Sequence, residues 1–340
     1  MVLSKSLIFE KVSPSEKRKC RFYNKKFKLS NNNIINFDKP RSMTMHDLVK
    51  KIKTITNYEN INAFDFFDSY ISGCTLIHLG YSKFLKKIIR ILNSDFIGVV
   101  RIPSLLDIDP KRFKSSFDRM KGNIFYTKYT NLKIKKIKTK NIFSCKLLSF
   151  KKKKKACLIG FSSESYIECE PIKYLFSKII NNKSVVKEIR RISIGPIGEN
   201  HMLTNFHELS NLNWFFGGCK NEKFFENSFF PINNLFSRFK KIFVKNSTIN
   251  SICYGAKFYS DGVYLAEKDI EIGEYVILLS VNNESVAVGI SNISSVICID
   301  SHEGPIVSIF TVIMERDLYP KKWKFGLKSV KKNILFSTFF

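Results

Sequence analysis

Cations and aromatic rings alternate in the string VIMERDLYPKKW, from Val312 to Trp323, where Arg316, Lys321 and Lys322 stand beside Tyr319 and Trp323. Cations pair with phosphates and flat rings stack on bases, which are the two contacts single-stranded nucleic acid offers. The same rings could instead pack a core. Earlier, NSICYGAK (Asn250 to Lys257) carries Tyr254, Gly255, Ala256 and Lys257. Glycine permits close backbone approach to a ligand and lysine supplies a phosphate contact, although Gly255 could simply serve a tight turn. The adjacent Arg190 and Arg191 could bind phosphate or complete a structural ion pair.

Net charge agrees with a polyanionic partner. Against 29 acidic residues stand 57 Lys and Arg, which leaves +28 on 340 residues. Spread positive charge favours nucleic acid over a membrane surface. Heavy use of Lys, Asn, Ile and Phe also fits AT-rich coding, so a merely solvated basic surface is the alternative. The eight cysteines form no C-x-x-C pair and the five histidines do not join them, so no metal site is expected. No cofactor motif is found. The cysteines read as buried or inert thiols in a reducing compartment. No apolar run approaches the roughly 20 residues of a membrane helix. The N-terminal apolar block is too short for a signal peptide, so a soluble intracellular protein without a membrane partner is expected.

Elements that must position these residues follow from periodicity. Residues 1–33 read as a basic extension. IINF (Ile34 to Phe37) reads as a strand stopped by Asp38-Lys39-Pro40, and Thr44 as the N-cap of a helix with Leu48, Val49, Ile52 and Ile55 on one side. Two more helices are predicted at Ser82 to Leu92 and Pro171 to Ile180, with strands at Phe96 to Ile102 and Ala156 to Ser162. Mixed strands and helices without β-α-β alternation favour an α+β domain. Past Lys245 come short strands, YVILLSV, ESVAVGI, SSVICI and GPIVSIFTVIME, with turn chemistry at Asp261-Gly262 and Asn282-Asn283. That spacing predicts a small β-barrel. Lys151 to Lys155 form either a solvated hairpin tip or an RNA-contacting loop. With the lysines of 133–140, Arg190 and Arg191, they are expected to share one face.

Taken together, these strings resemble the dyskerin family, the pseudouridine synthase subunits of H/ACA ribonucleoproteins, from about Ile34 to Gly326. The resemblance implies a fold: an α+β, pseudouridine-synthase-like mixed-sheet domain over 34–245, a β-barrel PUA domain over 246–325, and a tail over 326–340. INFDKP (Ile35 to Pro40) matches the family's strand and D-K-P turn. The catalytic-aspartate motif falls on Asn62 to Gly73, followed by Cys74, which makes Asp68 the nucleophile candidate and Asp65 a shifted-register alternative. The family's base-stacking tyrosine becomes Phe96. Its G-T-Y-I-R-T-L motif reads ESYIECE, so Tyr166 matches while Glu168 replaces the arginine that pairs with the aspartate. A second carboxylate there would oppose ionisation of Asp68. KEIRRISIG, HMLT and FFPINNLF resemble further family segments, with His201 structural in role.

The resemblance further implies guide-RNA-directed conversion of uridine to pseudouridine in rRNA or snRNA. The partners it implies are H/ACA guide RNA, the RNA substrate and the three small H/ACA core proteins. The implied location is the nucleus and nucleolus. The alternative is a non-catalytic H/ACA RNA scaffold for rRNA processing and RNA stability. A standalone tRNA-modifying synthase ranks third.

Overall fold

Apolar residues, at every second position in some strands and in unbroken runs in others, build the first sheet. The computed structural model of the chain describes residues 33–56, 59–63, 68–79, 83–101, 115, 117, 121–129, 135–165, 185–211, 230–294 and 304–319. The chain divides between Ser237 and Arg238 into two units. The first holds β1 (Asn33–Lys39), β2 (Ile61–Ala63), β3 (Ile71–Leu79), β4 (Asn93–Arg101) and β5 (Gly122–Tyr129). It continues with β6 (Lys135–Lys151), β7 (Ala156–Glu164), β8 (Val185–Ile194), β9 (Ile197–Gly198) and β10 (Phe230–Pro231). Among the described residues they form one mixed sheet in the order β10-β1-β3-β8-β4-β7-β6-β5, with β2 on β3 and β9 on β8. β3 and β8 run parallel, and the other neighbours are antiparallel.

Along β7, Cys157, Ile159, Phe161 and Ser163 are buried and their neighbours are not, which is the period of a one-sided strand. Cys157, Ile159 and Phe161 meet Phe96, Val100 and Ile189 in one core. Helix α1 (Met45–Thr56) lays Leu48 and Ile52 on Ile35, Phe37 and Ile77. Thr44 caps it, its Oγ1 accepting the Asp47 N–H at 3.1 Å. Helix α2 (Lys83–Ile91) buries Leu85, Ile88 and Ile89. One expectation needs correction here. β1 does not stop at Asp38, because Asp38 and Lys39 pair with Cys74 and Gly73 of β3. The described lysines of the two rich stretches lie toward opposite ends of the 17-residue β6 and its turn. Lys151–155 form the tip of the β6–β7 hairpin.

The second unit contains β11 (Lys240–Val244), β12 (Phe258–Tyr259), β13 (Val263–Ala266), β14 (Tyr275–Leu279), β15 (Ser285–Ser291) and β16 (Pro305–Val312). Their order is β12-β16-β15-β14-β11-β13, wrapped around a single apolar core. The expected boundary at 245/246 falls too late, because β11 pairs with β13 and β14 and so belongs to this unit. Helix α3 (Asn246–Cys253) had no signal, since NSTINSIC is poor in helix formers. Tertiary burial of Ile249, Ile252 and Cys253 against Val276, Val286 and Ile306 supplies what propensity lacks. Asn283 takes φ +62° in the β14–β15 turn, as the Asn-Asn pair predicts. The predicted helix at 171–180, the strand SSVICI beyond its first residue Ser294, residues 1–32 and the tail over 326–340 lie outside the described residues.

Gly73 is the tightest point of the first sheet. Its φ is +102°, and a Cβ there would stand 2.2 Å from the Arg191 carbonyl oxygen. Gly122 has a similar φ of +112° but open space around it. Gly122→Ala should therefore cost only the backbone strain, about 1–2 kcal/mol. Gly73→Ala should cost clearly more, because β3 and β8 must separate. Urea denaturation of the two variants checks this, and equal losses would contradict it.

Candidate functional site

Lys39 organises the ground beneath the aspartate motif. Its side chain is fully buried, and Nζ donates to the carbonyl oxygens of Ile71 (2.8 Å), Pro40 (3.2 Å), Asp68 (3.3 Å) and Ser69 (3.3 Å). An ammonium has three protons to give, so this cage can satisfy it fully. Burial lowers its pKa to about 8; the charge of Asp68 pulls it up and that of Arg191 down. Lys39 therefore remains chiefly cationic at neutral pH. Above it the chain turns tightly: Asp68 Oδ1 accepts the Tyr70 N–H at 3.0 Å, and the Asp68 carbonyl accepts the Ile71 N–H at 3.1 Å. The carboxylate of Asp68 is thus fixed on a partly exposed turn over a buried cation.

The neighbouring arginines are structural. Arg191 is 0% exposed, with Nε donating to Cys74 O at 2.8 Å and a terminal nitrogen to Ser165 O at 3.1 Å. It cannot reach a phosphate, which corrects the RNA-binding expectation. Arg190 pairs with Asp38 at 3.0 Å and with Glu199. Burial works against its charge, but the two carboxylates outweigh it and raise its pKa. Of the two alternatives, the ion pair is the one seen for Arg190, while Arg191 is held by backbone carbonyls. Asp38 belongs to β1, whose Asn36 also donates to the carbonyls of Gly198 (3.0 Å) and His201 (2.9 Å). His201 accepts the Gly198 N–H on Nδ1 at 3.1 Å and so closes its own turn.

Phe96 also departs from expectation. It is 1% exposed and stacks on Phe161 at 5.0 Å, with the rings 10° from parallel. In this conformation it fills the core and offers no face to a base. Tyr166, Glu168 and Asp65 lie outside the described residues. Among the described residues no group of His, Cys, Asp or Glu could hold a metal, and no helix is long and apolar enough to cross a membrane. Burial pushes the Cys74 and Cys157 thiols up to about 11, where they are inert.

In the second unit, Tyr254, Gly255, Ala256 and Lys257 follow directly on α3. The N–H groups of Gly255 and Ala256 return to Ile252 O (2.9 Å) and Ser251 O (3.0 Å). Gly255 has φ +87° and nothing within 4 Å of where a Cβ would stand. The turn uses the positive φ of this glycine, and the space over it is open. Lys257 is exposed and Tyr254 is half-exposed. The Arg316 guanidinium lies over the Tyr254 ring at 4.9 Å. Tyr319 packs against the barrel core and its hydroxyl donates to Glu284, so for this ring the packing alternative is the one seen. Lys321, Lys322 and Trp323 lie outside the described residues.

Lys39 went unnoticed as a site residue because the D-K-P turn reads as a strand stop. A lysine in line with a buried strand, just before proline, was the available signal. Its folded pKa lies below the unfolded value of 10.5, so the unfolded chain holds this proton more tightly. Stability of the wild type relative to Lys39→Met should then rise as pH climbs from about 8 to 10.5, by up to ~3 kcal/mol. Urea denaturation of both proteins at pH 7 and pH 10 measures it; a pH-independent difference would show that the amine is not desolvated.

Comparison with known proteins bears on both units. The PUA domain family matches residues 240–309. The H/ACA ribonucleoprotein complex subunit CBF5 of Emericella nidulans is 26% identical over 309 residues, 91% of this chain and 64% of the relative. Subunit CBF5 of Saccharomyces cerevisiae is 26% identical over 300 residues, covering 88% and 62%. The chain therefore spans a little under two thirds of these relatives' length. Among solved structures, a Cbf5-Nop10-Gar1 complex matches with a TM-score of 0.73 at 20% identity, over 86% of this chain and 88% of that one. An H/ACA RNP bound to a substrate RNA containing 2′-deoxyuridine matches with a TM-score of 0.70 at 22% identity, over 86% and 88%.

Proposed function

We propose that this chain, a relative of the dyskerin family, is the pseudouridine-synthase-type, RNA-binding subunit of an H/ACA ribonucleoprotein. Its substrate would be a uridine in ribosomal or small nuclear RNA, presented by a guide RNA. Its partners would be that guide RNA and the three small core proteins, in the nucleus and nucleolus. The observation that carries this reading is Asp68, held on a fixed turn over the buried Lys39 ammonium. Isomerisation breaks the C1′–N1 bond, rejoins the ring through C5 and releases the C5 proton. A carboxylate beside a flipped-out uridine can act on the sugar or the base, provided that it stays ionised. Lys39 supplies from β1 a positive charge of the kind that Glu168, in the family's arginine position, withholds.

A second reading, the non-catalytic scaffold, is favoured by two observations. One is Glu168 itself, and the other is the burial of Phe96. Under either reading the RNA-binding loop is Tyr254 to Lys257, where Gly255 leaves room for a close backbone approach.

Tritium release from 5-tritiated uridine in a reconstituted particle separates the two. Release by the wild type, abolished in Asp68→Asn with guide-RNA binding kept, is the expected result. Glu168→Arg should speed release by about tenfold, as removing ~1.4 kcal/mol of opposing charge would. Guide-RNA binding with no release by either protein would establish the scaffold reading instead. Gly255→Val with Lys257→Ala should weaken guide-RNA binding by about 1–3 kcal/mol, measured by filter binding, while Asp68→Ala leaves it unchanged.

A further inference from the structure

Tyr254 is gripped from two sides by a turn more than sixty residues later in the sequence. Its hydroxyl donates to the Asp317 carboxylate, at 2.9 Å to Oδ2 and 3.2 Å to Oδ1. Its ring carries the Arg316 guanidinium at 4.9 Å, and Arg316 Nε donates to the Cys253 carbonyl at 3.4 Å, at the C-terminal end of α3, where a cation is favoured. The Asp317 N–H in turn donates to Oδ1 of the buried Asn250 at 3.3 Å. Asp317 holds φ +63°, a conformation that aspartate and asparagine tolerate better than most residues. An exposed acid beside Arg316 and the Tyr254–Lys257 loop opposes polyanion binding by its charge. Its value must lie elsewhere.

We propose that Asp317 is a positioning residue for RNA. By holding the Tyr254 hydroxyl it sets the ring under Arg316 and fixes the Gly255–Lys257 loop in one binding-ready form. A preset loop spares the ordering entropy that a free one loses on binding. This rests on the RNA-binding reading of that loop. Charge and positioning then predict opposite signs, which makes the idea testable.

The test is binding of an end-labelled H/ACA guide RNA to the full chain at two salt concentrations. Asp317→Gly keeps the backbone conformation and removes the acceptor, and Tyr254→Phe removes the donor. Each should weaken binding by about tenfold, and the double variant should lose no more than either alone. Asp317→Asn keeps an acceptor and removes the charge, so it should bind as the wild type does or up to about threefold tighter, more so at low salt. Tyr254→Phe, which alters one exposed hydroxyl, carries the test if Asp317→Gly lowers the melting midpoint. Tighter binding by Asp317→Gly, unchanged binding by Tyr254→Phe, or losses that multiply in the double variant would overturn the proposal. A wild-type chain with no salt-dependent binding would overturn the RNA reading itself.

Discussion

A single buried ammonium holds the described part of the aspartate motif together. Lys39 ends β1, yet its Nζ reaches carbonyls on both sides of the turn that leads into β3. Four acceptors around one cation tie the Asp38-Lys39-Pro40 turn to residues 68–71, and the shortest contact, 2.8 Å to the Ile71 carbonyl, has the length of a charge-assisted bond. Removing that charge while keeping the burial would leave carbonyl groups without donors. The position of Asp68 is thus set by a residue that has no need to touch a substrate.

Next to it, charge serves architecture again. β8 delivers two consecutive arginines to opposite sides of the sheet, and their fates differ accordingly. Arg191 points inward and closes the carbonyls of Cys74 and Ser165. Arg190 faces the other side and joins Asp38 to Glu199, linking β1 to the turn after β9. Gly73 allows this, since any side chain there would strike the Arg191 backbone. The crossing of β1, β3 and β8 is therefore one unit of polar and steric constraint, packed beside an apolar core that holds Phe96.

The second unit follows a different economy. Its six strands enclose one apolar core, and the loop of interest sits where α3 ends. Precision there comes from a few polar contacts between segments distant in sequence, Asn250 and Tyr254 with Arg316 and Asp317. Such contacts add little to stability when exposed. Their effect is to narrow the conformations that a short loop can take.

Sequence by itself determined a good deal. Short apolar runs gave β1, β4, β7, β14, β15 and β16, the Thr44 cap marked the start of α1, and the motif strings pointed to the family of the relatives that comparison finds and to an α+β domain followed by a PUA domain. These are local or near-local signals, and local physics writes them into the chain. Tertiary structure alone decided the rest. Nothing in KEIRRISIG tells which arginine faces inward, because strand register and the glycine opposite settle it. Phe96 looked available for stacking, but its strand pairs with β7 and sets it on Phe161. Helix α3 forms against its own propensities because an apolar core waits beneath it. Lys39 read as punctuation, and only the folded turn, by bringing carbonyls from residues about thirty positions away around one nitrogen, makes it the anchor of the site.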